Sequence, residues 1–365
     1  MKDDNANQLL AKVMGWDDDA AMVQVPQLQL LADFKYDRYQ RFAPGKRFIE
    51  SLALWLNQFD AQNRQAAFDF VRTELVFFSD QEMGHLVQTA YLDHIVHERV
   101  RLIAEEQGIP PHCIAAIVKH KRFAELRVKS LYLGLSDGAR TNELRRASEG
   151  EIGNEQIWQA YELGDEKVAD MTEALKDALT AERLSTTSKT FNLIWLIDDF
   201  SGSGNTYIRY EDGRFKGKIK KVYERLQDSE LVDKSHYEVF LLLYVATRQA
   251  IDHIEYWANL FTAERGYKPL QVRVLCPIEK AMSLTSRPLS PAKALLDNAR
   301  YADQALSDKH FRVGGTEDVR FGFAGCALPV ILNHNTPNNS AFILWGPELS
   351  KFPGLFPRVS RHRET

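Results

Sequence analysis

Apolar positions in the first third of the chain recur with a helical period. Phe48, Leu52, Trp55, Leu56 and Phe59 share one face, and Ala67, Phe70, Val71 and Leu75 repeat the spacing. Ser79-Asp80-Gln81-Glu82 has the form of a capping box, a hydroxyl followed three residues later by a carboxylate. It predicts a third helix running to about Glu106, ended by Gly108-Ile109-Pro110-Pro111. Residues 1 to about 125 therefore read as a helical module. The pattern suits a partner-binding bundle and a winged-helix-like module alike, and does not choose between them.

From about residue 128 the pattern changes. Ser130-Leu131-Tyr132-Leu133-Gly134-Leu135 reads as a strand that ends in the turn Ser136-Asp137-Gly138-Ala139-Arg140. Helical segments fill about 153–182. Leu193–Ile197 is short, apolar and without alternation, as expected of a parallel strand buried on both faces. Val239–Ala246 reads as another buried strand, feeding a helix from about Thr247 to Glu264. Leu270–Ile278 and Ala327–Leu332 supply two more strands. Strands separated by helices imply parallel pairing, with ligands at the carboxyl ends of the strands.

Composition narrows the class. The chain has 365 residues, enough for two domains or one elaborated α/β domain, with 44% hydrophobic and 26% charged residues. A net charge of −4 argues against a protein that coats nucleic acid, while leaving room for a local basic groove. The start, Met1-Lys2-Asp3-Asp4-Asn5, lacks the apolar stretch of a signal peptide, and no apolar run approaches a membrane span. Cys113, Cys276 and Cys326 are widely spaced and form neither a zinc pattern nor a disulfide framework. These features suit a reducing cytoplasm.

The chemistry concentrates in Phe191–Thr206, F-N-L-I-W-L-I-D-D-F-S-G-S-G-N-T. The apolar run stops at two adjacent carboxylates, Asp198 and Asp199. Phe200, Ser201, Gly202, Ser203, Gly204, Asn205 and Thr206 follow as a loop of small residues. Such a loop lets backbone N–H groups converge on an anion, and its hydroxyls add donors. Carboxylates beside it can accept from vicinal hydroxyls, so the combination suits a sugar phosphate. A Walker A loop needs Lys before the final Ser or Thr, and here that place is Asn205. Arg214, Lys216, Lys218, Lys220 and Lys221 form a basic cluster downstream, able to close over phosphates or to contact nucleic acid. His94 and His97 have no evident third ligand group and read as surface histidines.

Asp198–Thr206 resembles the phosphoribosyl-diphosphate (PRPP) binding motif of type I phosphoribosyltransferases: strand, two acids, three variable residues, Thr or Ser, Gly, a variable residue, Thr or Ser. In that family an earlier strand ends in a turn that holds the diphosphate, about sixty residues upstream. Ser136, Asp137, Gly138 and Arg140 stand at that place. The tail, Thr336-Pro337-Asn338-Asn339-Ser340, then Trp345, then Leu355-Phe356-Pro357-Arg358, is similar to a phosphoribosyltransferase-like family of bacterial conflict and antiphage systems, some retron-associated. Phe59, Arg64, Phe77 and Phe78 extend the resemblance over most of residues 45–362.

The resemblance implies an α/β fold, with a parallel-sheet phosphoribosyltransferase-like domain over 126–365, including a C-terminal hood, after the helical module. It implies PRPP or a related nucleotide as ligand, with Mg²⁺ bound indirectly through ribose hydroxyls or water at Asp198 and Asp199. Those acids would orient the 2′- and 3′-hydroxyls, Ser201–Thr206 would hold the 5′-phosphate, and Ser136–Arg140 would meet the diphosphate. Asn338 and Asn339 would offer donors and acceptors, and Trp345 a face for a base.

One position departs. Several purine-salvage members carry an acid three residues after the second carboxylate, where this chain has Gly202. The loop then supplies no base for a purine nitrogen. Transfer to an unusual acceptor, hydrolysis of PRPP or a nucleotide, and ligand sensing stay open. So does a subunit role in a reverse transcriptase–RNA/DNA complex. The resemblance favours a toxic antiphage effector.

Overall fold

The computed structural model describes residues 2–358, except 41, 43, 44, 46 and 161–163. Nine strands stand among the described residues: β1 Val76–Phe78, β2 Ser130–Gly134, β3 Ile157–Gln159, β4 Leu193–Ser201, β5 Arg209–Glu211, β6 Arg214–Lys216, β7 Glu238–Thr247, β8 Leu270–Ile278 and β9 Val330–Leu332. Packing gathers the chain into two compact units, Met1–Glu82 with Glu279–Thr365, and Met83–Ile278. Neither follows a boundary near residue 125. The helices His97–Gln107 and Lys121–Val128 lie in the second unit with the large sheet, and the C-terminal tail lies in the first with the earliest helices.

The second unit is built on a five-stranded sheet, order β3-β2-β4-β7-β8, with every neighbouring pair parallel. The chain is thus α/β with a parallel sheet and a helical N-terminus, as its period pattern implies. β2, β4 and β7 are buried along nearly their whole length, which accounts for their unbroken apolar runs. Leu131, Leu133, Ile194, Leu196, Leu241 and Leu243 share one core cluster. Intervening residues pack on the other face, where the Trp195 and Phe240 rings stack with centroids 4.3 Å apart. Within the segment whose pattern predicts helix, β3 is a strand of only three residues at a sheet edge, too short to leave a period; the helix there is Asp165–Ala181.

Helix His97–Gln107 is fastened to the sheet by a buried charge. Glu98 accepts from Arg101 Nε at 2.6 Å and from Arg273 Nε of β8 at 2.6 Å. Burial alone would raise the Glu98 carboxyl, but these two guanidinium contacts hold it below the usual range.

In the first unit, Asp3–Met14, Asp18–Phe34, Phe48–Leu56 and Ala61–Thr73 are helical. The predicted capping box forms: Ser79 N–H donates to Glu82 at 2.8 Å, and Glu82 N–H donates to Ser79 Oγ at 3.2 Å. An aromatic core gathers around Phe356, whose ring lies 5.8 Å from Phe48, 5.7 Å from Phe77 and 5.2 Å from Tyr39. The strand expected at Ala327–Leu332 is shorter and does not join the five-stranded sheet. β9 pairs in parallel with β1, a strand unseen in the sequence pattern because it spans only three residues. Among the described residues no helix is long and apolar enough to cross a membrane.

A depressed Glu98 contributes stability that is present above its unfolded value, near 4.3, and is lost as pH falls through the lower folded one. Glu98→Gln is expected to cost about 1.5–3 kcal/mol at pH 7. Denaturant titrations across pH should show the gap from wild type closing below about pH 4. A gap that stays constant as pH falls through the acid range would contradict the assignment.

Candidate phosphoribosyl site

Sheet order locates the crevice. Numbered by their place in the chain, the five strands run 2-1-3-4-5, so the chain leaves β2 toward one edge and leaves β4 toward the other. In parallel sheets such a reversal opens a cleft at the carboxyl ends of the two central strands. The segments there are Ser136–Arg140 after β2 and the end of β4 with its loop. Two sequence-predicted turns sixty residues apart are therefore neighbours in space.

The acidic pair lies inside β4 rather than after it. The strand runs to Ser201, with Asp198 in register with Leu243 and Phe200 with Val245 of β7. Adjacent strand residues point to opposite faces. Asp198 falls on the face of Ile194 and Leu196, Asp199 on that of Trp195. Asp198 is 2% exposed and Asp199 9%. The Asp198 carboxylate accepts from Ser136 Oγ, from the Asp199 N–H at 3.1 Å, and from Tyr207 OH at 2.9 Å. Lys218 Nζ lies 2.9 Å from its Oδ2. Burial and the Asp199 charge raise the Asp198 carboxyl against the pull of Lys218 and Ser136. Burial and the Asp198 charge also push the Tyr207 phenol well above its normal range. Asp199 Oδ1 accepts from the Phe200 N–H at 2.9 Å.

The first turn sits against Asp199. A Cβ at Gly138 would fall 2.5 Å from Asp199 Oδ2, so only glycine allows this approach. Tyr244 OH of β7 donates to Ala139 O at 3.1 Å, and the Gly138 N–H donates to Ser136 Oγ at 3.2 Å. Arg140 is held in the left-handed region, φ 49°, with its guanidinium 3.1 Å from Glu143. Such backbone is uncommon outside glycine and recurs at ligand-holding turns. Asp137 is exposed.

The second loop is pinned from behind. Thr247 Oγ1, the N-cap of helix Arg248–Arg265, donates to Gly202 O at 2.6 Å. Gly204, φ +80°, leaves no room for a side chain beside His253 and Ala250 O. Ser201 and Ser203 are buried, Asn205 is half-buried and Thr206 exposed. Ser201 Oγ is buried without a hydrogen-bond partner. A buried hydroxyl with an unused hydrogen-bonding capacity, on the Asp199 side of the strand, fits a ligand-holding cradle.

Beyond the loop, β5 and β6 form a hairpin turned by Asp212-Gly213, both at positive φ. The chain returns to the loop at Gly217, φ +126°, where a Cβ would run into the Tyr207 carbonyl. The Lys218 N–H donates to Thr206 O at 3.1 Å, which aims its side chain at Asp198. The basic cluster thus divides. Lys216 pairs with Glu211 and Asp212, Lys220 with Glu224, and Lys218 with Asp198. Lys218 was visible only as one member of that charge run; Tyr207, Tyr244 and Thr247 carried no motif.

The tail residues belong to the first unit. Asn339 Nδ2 donates to Phe323 O at 3.1 Å, Asn338 O accepts from the Phe323 N–H, and Trp345 is buried in the first unit's core against Phe342. The flat face expected of Trp345 is thus occupied by core packing. The Thr-Pro-Asn-Asn-Ser segment is held by structural bonds, such as Thr336 Oγ1 to Phe356 O at 2.8 Å. Among the described residues, no three His, Cys, Asp or Glu side chains converge as a metal cage.

Gly217→Ala is expected to lose about 2–4 kcal/mol, since it combines a disfavoured φ with a backbone collision. Thermal melts should show it, and Gly213→Ala, with nothing within 4 Å, should lose less. Equal losses would remove Gly217 as the hinge that returns Lys218 to the acids.

A protein-family model described as PRTase-CE matches residues 52–358. No curated protein matches the chain, and no solved structure does. With the family model spanning most of the chain and the two loops meeting at the sheet's switch point, the chain belongs to the phosphoribosyltransferase-like PRTase-CE family.

Proposed function

We propose that this protein is a Mg²⁺-dependent enzyme that uses PRPP or a related nucleotide and acts as a toxic effector in cytoplasmic antiphage defence. The observation that carries the chemistry is the meeting of Ser136–Arg140, the acidic pair and Ser201–Thr206 at the one crevice the sheet order opens. The defence setting rests on the family resemblance, which leaves a reverse transcriptase–RNA/DNA complex open as a partner.

The loop amides and hydroxyls of Ser201–Thr206 bind the 5′-phosphate. The carboxylate face opposite Gly138 takes the vicinal hydroxyls, and Gly138–Arg140 receives the diphosphate. The acids would hold Mg²⁺ only indirectly, through ribose hydroxyls or water, as suits an ion that keeps several waters. Held there, Mg²⁺ would supply charge neutralisation for the diphosphate leaving group. The C1–O bond breaks with its electron pair leaving on diphosphate, and water or an acceptor adds to the oxocarbenium-like C1. The nucleophile's proton passes to solvent, because Gly202 offers no base. Catalysis is then positioning and charge stabilisation.

That same glycine favours one second reading, a sensor that binds the ligand and leaves it intact. Incubation with PRPP, Mg²⁺ and pooled nucleobases or nucleotides, followed by mass spectrometry, separates the two. Turnover is expected, with Asp199→Asn lowering it at least about a hundredfold without a drop in melting temperature. Tight binding with intact PRPP would establish the sensor. Neither binding nor turnover would sink the phosphoribosyl reading.

A further inference from the structure

The adjacent carboxylates are not equivalent. A carboxylate offers about four lone-pair positions. At Asp198 all are met from within the protein: Oδ1 by Ser136 Oγ and the Asp199 N–H, Oδ2 by Tyr207 OH and Lys218 Nζ. Those donors come from the first turn, the strand itself, the end of the second loop and the start of helix Lys218–Asp228. Asp199 stands on the opposite strand face, beside Gly138, on the side of the orphaned Ser201 hydroxyl.

Lys218 is constrained at both ends. Its N–H is bound to Thr206 O, and its Nζ also lies 5.3 Å from the centroid of the Tyr207 ring. The cation therefore ties the loop's exit to the acid that holds the first turn.

We propose, resting on the phosphoribosyl reading, that the two acids divide their work: Asp199 meets the ligand's vicinal hydroxyls, and Asp198 is a positioning residue that knots the two phosphate-holding segments, with Lys218 as its built-in counter-ion. Lys218 then acts through Asp198 and does not itself touch the ligand. Neutralising Asp198 or Lys218 loosens the loop in the free protein, whereas neutralising Asp199 leaves the loop ordered and removes binding.

The test uses the full chain, PRPP calorimetry, and amide hydrogen exchange over residues 201–217 without ligand. Asp199→Asn should abolish PRPP binding and leave exchange within about threefold of wild type. Asp198→Asn and Lys218→Met should each speed exchange, and weaken PRPP, by about tenfold or more. The double variant should bind within about threefold of Asp198→Asn alone, because one knot is broken once. Lys218→Arg should restore both readouts. Unchanged exchange with lost binding in Asp198→Asn would overturn the division, since both acids would then meet the ligand. Additive losses in the double variant would place Lys218 on the ligand and also overturn it. Should Asp198→Asn fail to fold, Lys218→Met and Tyr207→Phe, each removing one donor, decide the exchange arm. If wild type binds no PRPP, the functional reading fails while the exchange arm still settles the knot.

Discussion

Asp198 is a carboxylate almost wholly out of water, and such a group persists only when donors surround it. That requirement organises the second unit's functional end. It brings Ser136 from the turn after β2, Tyr207 from the exit of the second loop, and Lys218 from the helix after the hairpin. Gly217 is at positive φ so that the chain can pass the Tyr207 carbonyl and deliver Lys218. Gly138 has no side chain so that the first turn can close on Asp199. The cost of burying one charge is offset by contacts that also fix two loops.

The sheet makes this arrangement available. A 2-1-3-4-5 order places β2 and β4 side by side while sending their connections apart. Strand alternation then puts Asp198 and Asp199 on opposite faces of the sheet, both buried. Sequence adjacency therefore separates the two acids in space.

Much of this was legible in the chain. Unbroken apolar runs at Leu193–Ile197 and Val239–Ala246 marked buried parallel strands, and small residues beside two acids marked the crevice. The Ser79–Glu82 capping box was equally plain, because its signal is local. What stayed hidden was non-local. β1, β3 and β9 are three residues each and owe their existence to partners elsewhere in the chain. Trp345 and Asn339 show why residue type alone misleads. A Trp and an amide can serve a ligand or a core, and packing against Phe342 and bonding to Phe323 assign these to the first unit's interior. Lys218 sat in a run of five cations, and only the three-dimensional return of the hairpin distinguishes it.

The proposed function requires the two loops to form one phosphoribosyl cradle. The most direct test is a crystal structure of the protein soaked with PRPP and Mg²⁺. The 5′-phosphate is expected against the amides of Ser203–Thr206, the diphosphate at Gly138–Arg140, and the ribose hydroxyls on Asp199 with the Asp198–Lys218 pair intact. Ligand bound away from these loops, or bound there with its hydroxyls on Asp198 and Lys218 displaced, would contradict it.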